Sequence, residues 1–129
     1  MICRAAPGLM LSLALALPCT AADDPGQFPA AQCAALWLGQ DDYARHSNLL
    51  SQDPQDLALA AAFRAVAHRL TNRDAAAIDA FIAQQVPIMA FMVEAYIFGG
   101  DRQSRDIYES LMADCASFAA TQPETRALR

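Results

Sequence analysis

The chain has 129 residues, 55% hydrophobic and 18% charged, with 14 acidic side chains against 9 basic ones and a formal net charge of −5. That length suits a single domain, and hydrophobicity this high excludes a disordered chain. All the bases are Arg and Lys is absent. The acidic balance argues against nucleic acid and anionic lipid headgroups as partners, because both are held by clustered cations.

Residues 1–22 read as a secretory signal of bacterial type. Arg4 supplies the positive start, the Leu- and Ala-rich run over 9–17 the apolar centre, and Thr20, Ala21 and Ala22 the small residues before a cleavage site. The apolar run falls short of the roughly 20 residues a membrane span needs. Pro18 stands where a lipid anchor on Cys19 would need a small residue. The expectation is a periplasmic or secreted chain, cleaved near Ala22 and not inserted in a membrane afterwards. A single helical domain would cover 23–129, with its core at about 29–120. Cleavage removes Cys3 and Cys19, and the remaining pair, Cys33 and Cys115, predicts one structural disulfide in an oxidising compartment.

The rest of the chain predicts helices. No stretch alternates with β-branched enrichment, and Ala far exceeds ordinary usage. A first helix opens at Pro29 and runs to about Leu49, with Cys33, Leu36, Trp37, Tyr43 and Ala44 inward; Gly39 weakens it. Asp53 and Pro54 open a second helix, which turns Leu59, Phe63, Val66, Ala67 and Leu70 inward. The run Thr71-Asn72-Arg73-Asp74 resembles a capping box leading into a third helix over about 73–98, ended by Gly99-Gly100. Asp101 caps a fourth over about 102–120, with Ile107, Leu111, Cys115 and Phe118 inward. The polar tail over 121–129 is expected to fray.

Pro87 lies within the third helix and must either kink or break it. A kink gives an up-down-up-down four-helix bundle, which brings Cys33 and Cys115 to the same end. A break reverses the chain and separates them beyond the roughly 7 Å that bridged Cα atoms tolerate. The expected fold is therefore all-α: an up-down-up-down four-helix bundle with a Pro-kinked third helix and one disulfide.

Stepping the third helix by 100° per residue puts Ala76, Asp79, Ala83, Pro87, Ala90 and Glu94 on one narrow strip, the expected solvent side. Glu94 thus reads as an exposed acid. Apolar residues cover most of the remaining circumference, so this helix is expected to lie centrally or to present part of its surface to another chain. Ile88, Met89, Phe91, Met92 and Tyr96 form the candidate binding face, with Met beside aromatics for adaptability.

No pattern points to catalysis. The serines lack a Gly-x-Ser-x-Gly turn, and there is no phosphate-cradling glycine loop. Asp42 and His46 share a helical face, but a metal needs more ligands than these two. His68, Arg69 and Arg73 complement a helix C-terminus. No catalytic residue, metal or cofactor is therefore expected. The sequence predicts an exported protein that acts by protein–protein binding, its acidity favouring a cationic partner. The plan is also similar to that of small periplasmic acid-stress chaperones in being helical, exported and singly bridged; no motif aligns, so no residues are carried over. On that alternative, protonation of Glu94, Asp79 and Asp114 loosens the bundle and exposes Phe91 and Met92. A metal protein or enzyme built on Asp42 and His46 is a third and weaker alternative.

Overall fold

A computed structural model describes residues 29–128 and contains, among them, only helices: α1 (Pro29–His46), α2 (Pro54–Leu70), α3 (Ala75–Phe98), α4 (Arg102–Ala119) and the short α5 (Pro123–Arg126). The signal read at 1–22 lies outside the described residues, with Cys3 and Cys19.

Local chemistry sets the helix ends. Asp53 accepts a hydrogen bond from the Gln55 amide, with Pro54 in the opening turn of α2. Asp101 caps α4 through the Gln103 amide and also accepts from the Ser104 hydroxyl. Gly99 ends α3 in the left-handed region at φ 63°, where a residue without Cβ carries little strain. The segment between α2 and α3 differs from the expected capping box. Thr71 ends α2 and its hydroxyl accepts from the Arg73 amide, while Asp74 is itself the N-cap of α3, accepting from the Ala77 amide. One acid there serves as the cap, so α3 starts at Ala75.

The long helices run up, down, up and down. Tyr108 of α4 bonds Gln40 of α1, and Cys115 is bridged to Cys33 with Cα atoms 5.6 Å apart. Between these ties α4 advances while α1 retreats, so the two are antiparallel. α3 continues unbroken through Pro87, which sits with Ala83 on the exposed side. The bridged pair is buried, and such a bond belongs to a non-reducing compartment.

The centre of the bundle is α1, not α3. Ala30, Ala31, Ala34, Ala35 and Leu36 are all buried, and α1 lies against α2, α3 and α4. Small side chains let neighbours approach from several sides. Closest is the crossing with α3, where a Cβ on Gly39 would fall 2.5 Å from Cβ of Met89 and 2.9 Å from the Ala90 nitrogen. The other diagonal is filled by rings, with Phe63 of α2 stacked on Phe118 of α4 at 6.3 Å between centroids.

Two inward assignments are corrected. Leu70, at the last turn of α2, is exposed, and so is Ile107. On α4 the inward line is Tyr108, Cys115 and Ala119, because the Tyr108 hydroxyl finds an acceptor in Gln40 and the ring can be buried. The tail also differs from the frayed expectation. Thr125 is fully buried, with its hydroxyl donating to the Ala119 carbonyl. Arg69 clamps both carboxylate oxygens of Glu124 and the side-chain oxygen of Gln122, and Gln55 donates to the Leu128 carbonyl. These ties dock α5 on α2.

Candidate functional site

The apolar residues of α3 do not all find cover. By length and composition this helix could cross a membrane, yet only 22% of its most apolar window is buried. A core helix of similar composition is covered on most sides. Ile88, Met89, Phe91, Met92 and Tyr96 are placed as follows. Ile88 and Phe91 are exposed, Phe91 at 58%, and Met92 is partly buried beside them. Tyr96 is exposed on one side and packs its ring on Tyr108 at 5.0 Å. Met89 is buried and leaves the outer face: its Cβ lies against Gly39 of α1, and the residue lines the groove between α3 and α4. Phe98, at 62%, joins the outer stripe one heptad beyond Phe91, and Ile107 is exposed separately on α4 at 46%.

The expected solvent strip is real but narrower than the exposed sector. Ala76, Ala83, Pro87 and Glu94 are exposed, and Asp79 and Ala90 are partly covered. The exposed sector continues past Glu94 through Phe98 and Phe91 to Ile88, so its outer part is apolar. Beside this stripe a groove of about 320 Å³ runs between α3 and α4, lined by Gln85, Met92, Ile107, Ser110, Leu111 and Asp114 among others.

A polar cluster buried at the loop end of the bundle was not singled out in the sequence. Tyr108 donates to the Gln40 side-chain oxygen at 2.7 Å, and the Gln40 amide donates to both Asp56 oxygens at 3.2 and 3.1 Å. Next to it Asp41 is buried, pairing with Arg45 at 3.0 Å and accepting from Gln52 at 3.0 Å. The signal was present: Gln40 falls on the inward line 33, 36, 37, 40, 44 of α1. Burial pushes the Tyr108 hydroxyl up to about 12, with the charges of Tyr96 and Asp56 adding to the rise. The phenol is thus a held donor and not a base. Burial also raises Asp56, the Gln40 hydrogen bond opposes this, and Asp53 and Asp41 add to it.

A carboxyl raised on folding costs stability when charged, and that cost fades as pH falls through its folded value. Asp56→Asn keeps an acceptor for Gln40 and removes the charge. At neutral pH it should raise the urea midpoint above that of wild type, an advantage that shrinks in acid. Urea midpoints at neutral and acidic pH check this; a loss of stability at neutral pH would contradict it.

The remaining charged candidates are tied internally. Arg64 meets Asp79 through two bonds, at 2.7 and 2.6 Å, and His68 lies 3.2 Å from the same carboxylate. These contacts, Arg64 first, lower Asp79 to about 2. Arg69 goes to Glu124 instead, so His68 and Arg69 serve different acids. His46 is 74% exposed at its side chain, and its Nδ1 lies 2.8 Å from the Asp42 carbonyl oxygen, closer than the 3.6 Å to the carboxylate. That is a helix-end contact. Among the described residues no group of three or more His, Cys, Asp or Glu side chains is placed to hold a metal ion.

No protein family, curated protein or solved structure matches this chain.

Proposed function

We propose that this protein is exported through the signal read at residues 1–22 and acts by binding another protein through the outer face of α3. The observation that carries the reading is the exposure of Ile88, Phe91 and Phe98 on a helix of which 22% of the apolar window is buried. Exposed apolar residues that cluster along one element mark interaction sites, whereas scattered ones need no explanation. A photo-crosslinking side chain at position 91 should form adducts with exported proteins, and the same group at exposed Ala61 on α2 should not. Phe91→Ser should abolish those adducts' competition by the unlabelled protein while shifting stability by less than about 0.5 kcal/mol. Equal labelling from positions 61 and 91 would refute the reading.

A second reading, an acid-triggered holdase, draws support from how α3 is tied to α2. Asp79 holds Arg64 and His68 of α2, and its value is depressed to about 2. A depressed carboxyl contributes stability above its unfolded value near 3.8, and that contribution is lost as pH falls toward about 2. Both partners of the pair are well exposed, so solvent screens the contribution. Phe91 is already exposed in the folded bundle, against the expectation that acid uncovers it. On this reading dye binding therefore rises above its neutral level between about pH 4 and pH 2, and Asp79→Asn shifts the onset of that rise to higher pH. A flat dye signal over that range would eliminate the holdase.

A further inference from the structure

We infer that the outer face of α3 pairs with the same face of a second copy, antiparallel about a twofold axis at Pro87. The inference rests on the binding role proposed for α3 and names its occupant. Around exposed Pro87, the exposed residues Ala83, Ala80 and Ala76 step away on one side and Phe91, Glu94 and Phe98 on the other, each set by four, seven and eleven positions. Such steps hold one line along a helix. The two halves of the line differ in size. The first is alanine throughout, and the second carries Phe91 at 58% and Phe98 at 62% exposure. An antiparallel pair centred on Pro87 sets Ala83 of each copy against Phe91 of the other, Ala76 against Phe98, and Ala80 against Glu94. Rings then seat on alanines, with large side chains facing small ones as in a packed core. A parallel pair would set ring on ring and bring the two Glu94 carboxylates together.

Charge agrees with the same occupant. Glu94 is the one ionisable residue on this line, so a cationic partner would find a single carboxylate there. In the antiparallel pair the two Glu94 positions lie fourteen residues apart along the axis, about 21 Å, well beyond the roughly 8 Å screening length at physiological salt. An anionic lipid surface would meet a chain of net charge −5 and repel it. Area sets the strength. The line is about 33 Å long and a helix about 10 Å wide, so one helix pair falls short of the roughly 800 Å² per partner of a stable interface. The pair is therefore weak, exchanging with monomer at concentrations on the order of 10 to 100 μM. Two copies of like net charge repel at long range, so added salt should strengthen it.

Sedimentation equilibrium of the folded, oxidised protein over about 5 to 500 μM should give a mass rising from monomer toward dimer, more steeply in high salt. Ala83→Glu and Phe91→Ser should each weaken the pair at least about tenfold. Both positions are exposed, so melting curves should stay close to wild type. Oxidised mixtures of single-cysteine variants read the register. Ala83→Cys should cross-link to Phe91→Cys, and neither should link to itself, because its own two positions lie about 12 Å apart along the axis. Self-linked Phe91→Cys dimers would overturn the antiparallel register. A monomer at every concentration, with crosslinks from position 91 to other proteins intact, would overturn the second copy as occupant and leave the binding face. A monomer without such crosslinks would remove both. A monomer that binds vesicles of neutral phosphatidylcholine would assign the face to lipid and overturn the inference. A dimer untouched by both variants would place the interface elsewhere, with the same result.

Discussion

Replacing both Cys33 and Cys115 by Ala should cost about 4 to 5 kcal/mol by the chain-entropy account of a cross-link joining residues 82 apart. For a domain of this size that is a large share of the total stability and a fall in Tm of about 20 °C or more. Two features of the fold keep the loss near the upper end. The bridge ties α1 to α4, the first long helix to the last, so without it nearly the whole described chain is free in the unfolded state. The other links between these two helices are few and local, chiefly the Tyr108–Gln40 bond. Calorimetry of the double variant and of wild type, with and without reductant, measures the effect. The buried position of both sulfurs implies slow reduction of the native protein, so the reduced wild type should be made by unfolding in reductant and refolding. A double variant melting within a few degrees of wild type would show that packing alone holds α1 against α4.

That tether was legible in the sequence because it follows from compartment and counting, and it set the topology by requiring Pro87 to kink the third helix and not to break it. Helix ends were legible where a side chain acts alone, as at Asp53, Gly99 and Asp101. They were less so at Thr71 and Asp74, where two possible caps compete and only three-dimensional context assigns one to each helix. The central helix was misplaced for a physical reason. Burial was expected to follow apolar content, which is highest in α3, but centrality follows how closely neighbours can approach. Alanine and glycine in α1 allow that approach, and the large side chains of α3 prevent it on their outer side.

The candidate face followed the same logic. Ile88, Phe91 and Tyr96 lie outward, because a helix too apolar for its surroundings must leave some side chains uncovered. Met89 was indistinguishable from Met92 by type, and only the register against Gly39 separates them. The Tyr108–Gln40–Asp56 cluster escaped notice because each of its members is ordinary on a surface. Its meaning arises when α1, α2 and α4 bring the three together out of water.

The register at Gly39 gives the sharpest single-residue test of the packing. In an isolated helix Gly39→Ala should gain about 1 kcal/mol, since Gly carries that penalty in a helix interior. In this bundle the added methyl would sit 2.5 Å from the Met89 Cβ, 2.9 Å from the Ala90 nitrogen and 3.0 Å from the Met89 carbonyl carbon. Two of those atoms are backbone, so no rotamer change in α3 relieves the contact and the helix axes must move apart. Overpacking of this kind costs about 1 to 3 kcal/mol where side chains can adjust, and more where they cannot. The clash therefore outweighs the propensity gain, and Gly39→Ala should destabilise by at least about 2 kcal/mol, with Gly39→Val worse because its branch also restricts χ1. Gly100→Ala is the matched control: nothing lies within 4 Å of its Cβ position and its φ is not positive, so the urea midpoint should barely change. A Gly39→Ala protein at least as stable as wild type would mean that α1 and α3 do not cross at that distance. The central place of α1, and with it the outward turn of Phe91 and Ile88, would then need a different explanation.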